Sequence, residues 1–468
     1  MTEQRQQDDH DIDDLYGVEK PTDRQRDAFL SGSVPVAVYG LGKMGLPLAA
    51  VFAETTGNVV GADIDPDVVA TVNDGACHVK REPQLPSLVD ETVSDGALTA
   101  TTSPQEAAAR ASIHVVIVPT PITDANEPDL SILDAVVEEI GAGLKRGDLV
   151  LVECTIPPRT TAERVLPALE ATSGLSRGEF GVAFCPERTS SGRAIEDIRG
   201  AYPKVVGGVD EESTRAAKLV YETINDDGVI QVSDTATAEA VKVFEGLYRD
   251  VNIALANELA TFTDEFRIDV REAIDVANTQ PYCDIHDPGP GVGGHCIPFY
   301  PYFLIEPFET DAPLLRTARA VNDSMPSYVV NKLCEEFAAE RTELANITVL
   351  LLGLTYRPGV EEIRASPSLA IAEEFAAVGT DVYGVDPMLD SFEEFKQRGV
   401  TQIDLEDVYD RQFDGVALVT PHDEFESIRW ADMKQPDGDL IILDGRNALN
   451  RDALPDDCRV YTIGIVEE

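Results

Sequence analysis

Five short apolar runs punctuate the first two hundred residues: VPVAVYG (34–40), NVVGAD (58–63), HVVIVPTP (114–121), LVLVECT (149–155) and FGVAFC (180–185). Helix-period stretches separate them. Short, nearly continuous β-branched runs alternating with helices predict a parallel sheet covered on both faces. From about Glu211 to Arg341 the 3.6-residue period dominates. Within it, 236–265 has apolar positions at helical spacing, no proline and Gly246 as its one glycine, which predicts a long helix. The alternation then returns in ITVLLLG (347–353), DVYGVDP (381–387), GVALVTPH (415–422) and DLIILDG (439–445). The second block repeats the first: strand-glycine, strand-acid, strand-Thr-Pro, strand. The expected fold class is α/β, with two Rossmann-like doubly wound parallel-sheet domains joined by a central helical domain. Such a plan suggests two ligands meeting in one cleft. The expected divisions are an acidic mobile tail (1–33, with a short helix near 21–30), a first Rossmann domain (34–208), the helical domain (209–341) and a second Rossmann-like domain (342–468).

Composition narrows the partners. The 468 residues include 37 Lys and Arg against 85 Asp and Glu, a net charge of −48. That field repels a nucleic-acid backbone and disfavours an anionic membrane surface. No window approaches the roughly 18 apolar residues of a spanning helix. The start, MTEQRQQDDHDIDD, lacks the basic and apolar regions of a signal peptide, so a cytoplasmic location is expected. The acidity is spread along the chain, as on the solvated surface of proteins from a high-salt cytosol. Seven cysteines without a CxxC pair argue against a disulfide framework and a structural zinc site, and the histidines show no metal-ligand spacing. No metal is expected.

GLGKMG (40–45) follows a predicted strand and opens a predicted helix. Gly40 permits the turn, Gly42 lets backbone approach a pyrophosphate, and Gly45 lets helix pack on strand. Asp63 follows Gly45 by 18 residues at the end of the next strand, where a carboxylate takes ribose hydroxyls and repels a 2′-phosphate. The unit favours NAD as cofactor. LGLTYR (352–357) lacks the glycine pattern, so the second domain should hold something else. GPGVGGHCIP (289–298) surrounds His295 and Cys296 with four glycines and two prolines. Backbone there can approach a ligand, and Cys296 is either an exposed nucleophile or a buried structural thiol. Lys242 and Arg249 are seven apart and share a helix face, as a binding face or as partners of glutamates. In CPER (185–188), Glu187 and Arg188 follow a strand end, as ligand groups or as loop charge.

GLGKMGLP, VPTP, CPER, KVFEGLYRDVNIALANEL, GPGVGGHCIP and GLTYRPGVEEIRASPS, in this order, resemble the UDP-glucose/GDP-mannose dehydrogenase family from about Val34 to Ile465. PER (186–188), RDVN (249–252) and PGPGVGGH (288–295) look most like its UDP-N-acetyl-D-mannosamine dehydrogenase branch. The resemblance implies an NAD-dependent four-electron oxidation of a UDP-sugar C6 hydroxyl to the uronate, feeding polysaccharide or glycoprotein synthesis. UDP-N-acetyl-D-mannosamine or its gluco epimer is the expected substrate, with UDP-glucose as alternative and GDP-mannose after it. A two-electron β-hydroxyacid dehydrogenase and a catalytically silent nucleotide-sugar binder are rival readings.

By resemblance Cys296 is the nucleophile that forms a thiohemiacetal and then a thioester, Lys242 stabilises the oxyanion, and Glu187 handles water or protons. Gly40, Gly42, Lys43, Met44, Gly45, Asp63, Thr120 and Thr155 are implied at the cofactor. Arg188, Thr189, Arg249, Gly293, Tyr356, Arg357 and Arg364 are implied at the sugar nucleotide, where the planar arginine fork suits a diphosphate. The helical domain is expected to form a homodimer. Two positions depart from the family pattern: Gly246 stands where an Asn is usual, and Tyr300 where an Asp is usual. Gln280 and Tyr282 stand where the branch has basic residues.

Overall fold

Strands buried on both faces tolerate few polar positions, which is why the apolar runs become the sheet interiors. The computed structural model describes residues 12–339, 347–435, 439–455 and 458–466. Its first eight strands are β1 (Val36–Tyr39), β2 (Val59–Ala62), β3 (Leu98–Thr101), β4 (Ile113–Val116), β5 (Leu149–Val152), β6 (Gly181–Phe184), β7 (Lys204–Gly208) and β8 (Val229–Gln231). They form one sheet in the order β3-β2-β1-β4-β5-β6-β7-β8. β1, β2, β4, β5 and β6 are buried at every residue. The pairing is parallel except between β6 and β7, where Ala183 faces Gly208 in an antiparallel step.

A second sheet comprises β9 (Thr348–Leu352), β10 (Asp381–Val385), β11 (Val400–Gln402), β12 (Gly415–Leu418), β13 (Leu440–Asp444) and β14 (Cys458–Thr462). Its order is β11-β10-β9-β12-β13-β14, all parallel. The strand order reverses beside β1 in one sheet and beside β9 in the other, and crevices for ligands open at such switch points. The α/β class and the paired Rossmann-like sheets therefore stand, with one antiparallel step that the apolar runs did not announce.

The chain divides into two compact units. One runs to Phe244 and includes Tyr302–Phe308; the other holds Glu245–Pro301 and everything from Glu309 onward. The predicted long helix is present as Thr235–Thr261, and a second helix of equal length spans Pro313–Ala339. Within the second unit a buried polar network joins them. Asp250 pairs with Arg319 and accepts from Asn322 at 2.9 Å, and Asn257 donates to Asn322 at 2.9 Å.

The expected mobile tail needs correction from residue 12 on. The helix Thr22–Leu30 forms, and Leu15 and Phe29 are fully buried in the core of the first unit. Phe29 meets Phe52 edge-on at 6.4 Å. Each such side chain contributes about 1.5–3 kcal/mol by leaving water. These anchors are scattered among acidic residues, so no periodicity betrays them. Residues 1–11 of that expected tail lie outside the described residues.

Candidate active site

The first unit builds a tight glycine turn between strand and helix. β1 runs into Gly40 at φ +92°, and the helix Gly45–Thr56 begins five residues later. A Cβ on Gly45 would sit 1.9 Å from the Gly40 carbonyl oxygen, so only glycine allows this turn. A Cβ on Gly42 would meet nothing within 4 Å, so that side of the loop is open to a ligand. The Asp63 carboxylate accepts from Leu41 N at 2.8 Å and from Asp65 N at 3.0 Å while the residue remains partly exposed. It is thus aimed by the glycine loop and still accessible to ribose hydroxyls. Glycine turn, helix start and oriented carboxylate together fit a dinucleotide. Lys43 is exposed on the loop. Thr120 donates to the Thr155 carbonyl at 2.6 Å, which joins the two expected cofactor threonines at the ends of neighbouring strands.

A second cluster follows β6. Glu187 accepts from Lys242 Nζ at 3.2 Å and from both the backbone and hydroxyl of Thr189. Thr189 Oγ1 also lies 2.9 Å from Met44 Sδ, so the loop after β6 touches the glycine loop. Burial pushes the Glu187 carboxyl up, but Lys242, the Thr189 hydrogen bonds and Lys204 outweigh it and hold the group below its ordinary range. Glu187 is therefore an anion in a cleft, paired with a buried ammonium. A carboxylate so held accepts a proton only when its surroundings change. Arg188 donates to the Pro203 carbonyl at 2.7 Å, and its guanidinium lies 4.9 Å from the Tyr202 ring. Glu187, Arg188, Thr189 and Met44 also line a small cavity of about 30 Å³ with Glu153 and Lys204.

The second unit carries the thiol. Cys296 is exposed at the end of the glycine-rich loop, and its carbonyl accepts from Phe299 N at 3.0 Å and Tyr300 N at 2.9 Å. That loop lies on the segment after β9. Gly294 N donates to the Arg364 carbonyl at 2.9 Å, and a Cβ on Gly293 would sit 2.7 Å from both the Ala365 oxygen and Tyr356 Cβ. His295 pairs with Glu362, and the Arg364 guanidinium lies 4.9 Å from the Phe299 ring. Burial raises the Tyr356 phenol, Arg357 works against it, and the neighbouring Cys296 adds to the rise. Cys296, Gly293, Tyr356, Arg357 and Arg364 thus come together around one loop pair. Arg249 is exposed on its helix, whereas Lys242 is buried, so the face they share by spacing gives them different surroundings.

Several positioning groups escaped the sequence reading. Glu82, nearly fully buried, accepts from Gly192 N at 2.8 Å and Ala194 N at 2.6 Å, and Asp197 accepts from Ser190 N at 2.9 Å. These carboxylates pin the loop that carries Glu187 and Thr189. Asn252 and Asn257, five apart on the long helix, accept from His286 N and Gly289 N at 2.8 Å and so set the entry to the Cys296 loop. Ala365 adopts φ +50° beneath Gly293, a costly backbone for a residue with a Cβ. Arg446 follows β13 and reaches the Val419 and Gly291 carbonyls. Burial and the nearby Arg271 push it down to about 10. A strand-end arginine in LDGR was a usable signal; the carboxylates at 82 and 197 offered none.

Family models match along most of the chain. The NAD binding domain of the UDP-glucose/GDP-mannose dehydrogenase family covers residues 34–225, its central domain 236–324, and its UDP binding domain 350–451. The chain belongs to the UDP-glucose/GDP-mannose dehydrogenase family. It is an NAD-dependent nucleotide-sugar dehydrogenase, an oxidoreductase whose second sheet carries the family's UDP binding domain. It is 36% identical over 416 residues to UDP-N-acetyl-D-mannosamine dehydrogenase of Pyrococcus horikoshii, covering 88% of this chain and 96% of the relative. It is 37% identical over 403 residues to NDP-N-acetyl-D-galactosaminuronic acid dehydrogenase of Ralstonia nicotianae, covering 84% and 92%. The solved structure of the Pyrococcus horikoshii UDP-D-ManNAc dehydrogenase superposes with a TM-score of 0.82 at 34% identity, covering 92% of this chain and 99% of that one. Among the described residues no helix is long and apolar enough to cross a membrane.

Proposed function

We propose that the enzyme oxidises the C6 hydroxyl of UDP-N-acetyl-D-mannosamine, or of its gluco epimer, to the uronate through a covalent Cys296 intermediate. The observation that carries this reading is the exposed Cys296 thiol on a glycine-rich loop laid against Tyr356, Arg364 and Ala365 at the end of β9. A thiol at the strand ends of the UDP-binding sheet is well placed to meet the sugar of a bound UDP-sugar. Both the Pyrococcus relative and the solved structure act, by name, on the N-acetylmannosamine nucleotide.

NAD, held by the Gly40–Gly45 turn and Asp63, supplies the hydride acceptor for both oxidations. Glu187 takes the proton of the C6 hydroxyl in the first. Cys296, as thiolate, then attacks the C6 aldehyde, forming a C–S bond and a thiohemiacetal, which holds a reactive carbonyl in place. Lys242 stabilises the alkoxide oxygen of that adduct. The second oxidation leaves a thioester, and water cleaves its C–S bond to release the carboxylate and restore the thiol. One sugar and one water thus consume two NAD+ and release three protons. Arg357, Arg364 and Arg446 supply cations for the diphosphate. Tyr248 and Leu255 are each half-exposed at seven-residue spacing on the long helix, and Phe266, Ile268 and Val276 are exposed in the same unit. An apolar surface of this kind suits a homodimer contact.

The test pairs substrate identity with the thiol. A panel of UDP- and GDP-sugars, followed by NADH release and product mass, should show about two NADH per sugar with UDP-N-acetyl-D-mannosamine. Cys296→Ala should abolish uronate formation with NAD affinity within about threefold of the parent. A normal uronate rate in that variant defeats the proposal.

A further inference from the structure

Gly246 and Tyr300 are 54 residues apart in the sequence. They meet in the second unit. A Cβ built on Gly246 would lie 1.7 Å from Tyr300 Cδ2, 2.6 Å from Cε2 and 2.7 Å from Cγ. The tyrosine ring therefore rests on the helix backbone in the space any side chain at 246 would fill. Gly246 is buried, and glycine is a poor helix former, so local propensity does not explain its place in the middle of the helix Thr235–Thr261. The ring explains it. Tyr300 is also tied to the thiol, because its backbone N–H donates to the Cys296 carbonyl at 2.9 Å across a single turn. Where the ring sits on the helix thus sets where the Cys296 turn sits.

We propose that Tyr300, seated on Gly246, is the positioning residue that fixes the Cys296 turn against the long helix, and that the two residues act as one unit. This rests on Cys296 being the nucleophile. The aromatic ring supplies the position by filling the space over Gly246; a phenylalanine fills the same space. Any residue larger than glycine at 246 evicts the ring and moves the turn. A displacement on the order of 1 Å costs up to about a hundredfold in rate when a nucleophile must meet a carbonyl.

A double-variant cycle tests this on the full-length enzyme. The variants are Tyr300→Phe, Tyr300→Ala, Gly246→Ala and the pair Gly246→Ala/Tyr300→Ala. Uronate kcat and sugar KM are measured beside the rate of Cys296 alkylation by iodoacetamide, followed by peptide mass. Gly246→Ala and Tyr300→Ala should each lower kcat by about tenfold or more and change the alkylation rate, with KM within about threefold. Adding Gly246→Ala to Tyr300→Ala should then change kcat by less than about twofold, because no ring remains to displace. Tyr300→Phe should keep both kcat and alkylation near the parent. Two results overturn the inference: the pair falling to the product of the two single effects, or Tyr300→Phe as impaired as Tyr300→Ala. The alkylation rate reads the turn even if a variant loses activity by another route. Full uronate formation by Cys296→Ala defeats the thiol mechanism itself, whereas an additive cycle alongside an inactive Cys296→Ala defeats only the positioning role.

Discussion

The two sheets share strand order and the acid at the end of their second strand, yet they use that acid in opposite ways. In the first, Asp63 takes Leu41 N and Asp65 N and keeps part of its carboxylate in solvent. In the second, Asp386 is buried and saturated. Its Oδ2 accepts from Leu354 N at 2.7 Å, Thr355 N at 2.8 Å and Thr355 Oγ1 at 3.0 Å, and lies 3.1 Å from His422 Nε2. One acid keeps part of its surface accessible; the other staples its own loop. The same topology thus leaves the carboxylate accessible in one sheet, as the proposed dinucleotide contact requires, and consumes it in the other. The missing second glycine pattern in LGLTYR has its structural counterpart here, since Leu354 and Thr355 donate inward to Asp386.

Removing the consumed acid should have the larger effect on stability. Asp386→Ala leaves the Leu354 and Thr355 N–H groups buried without their acceptor and His422 with the Thr355 hydroxyl alone, and breaking such a buried set costs about 3–5 kcal/mol. Chemical denaturation of the variant should show that loss, with NAD affinity little changed. A loss below about 1 kcal/mol would mean the staple is unimportant.

The two units should also respond to pH with opposite signs. Glu239, buried on the long helix, accepts from Thr161 N at 2.7 Å and from Arg159 N, and burial pushes its carboxyl up to about 7. A carboxyl raised in the folded state binds more protons folded than unfolded, so it costs stability as pH rises from about 4.5 to about 7, by roughly 3 kcal/mol at most. Asp386 runs the other way. Burial opposes its charge, but His422 and the Thr355 and Met388 N–H groups hold it below its ordinary range. The stability it contributes is present above the ordinary aspartate range and is lost as pH falls through its lowered value. Hydrogen exchange followed between pH 4 and 8 should show the segment around Arg159 and Thr161 loosening toward pH 8, and the segment around Thr355 firm throughout. Equal responses would contradict the assignment.

The contrast also shows what a sequence can carry. The interior strands were legible because burial on both faces demands an unbroken apolar run. β3, β8, β11 and β14 were not, because positions such as Ile230, Gln231 and Thr401 face solvent and only pairing makes the strand. β7 ends in two glycines and turns antiparallel, a choice that tertiary packing makes. Among the candidate site residues, the tight glycine turn, the accessible Asp63 and the exposed cysteine loop were legible as local features because each is a constraint on backbone or charge. The Glu82 clasp on Gly192, the His422 partnership with Asp386 and the seat of Tyr300 on Gly246 join residues 36 to 110 positions apart. No periodicity links such partners. His422 and His114, which showed no ligand spacing, prove to be buried and hydrogen-bonded to Asp386 and Asp148.

The accessible acid gives the smallest effect and the sharpest discrimination. Asp63→Ala removes the acceptor of Asp65 N, which is exposed and can take water, and of Leu41 N on a fully buried residue, so stability should fall by about 1–3 kcal/mol, less than for Asp386→Ala. The same change deletes the acceptor proposed for the ribose hydroxyls and the anion proposed to repel a 2′-phosphate. NAD affinity should fall by about 10- to 100-fold, a cost of about 1.4–2.7 kcal/mol, and the preference for NAD over NADP should narrow. Calorimetric titration with both dinucleotides, beside a denaturation curve, measures the two quantities on one sample. If Asp63→Ala instead unfolds the protein as readily as Asp386→Ala while its dinucleotide preference stays put, then the first sheet uses its acid as the second does, and the ribose contact lies elsewhere.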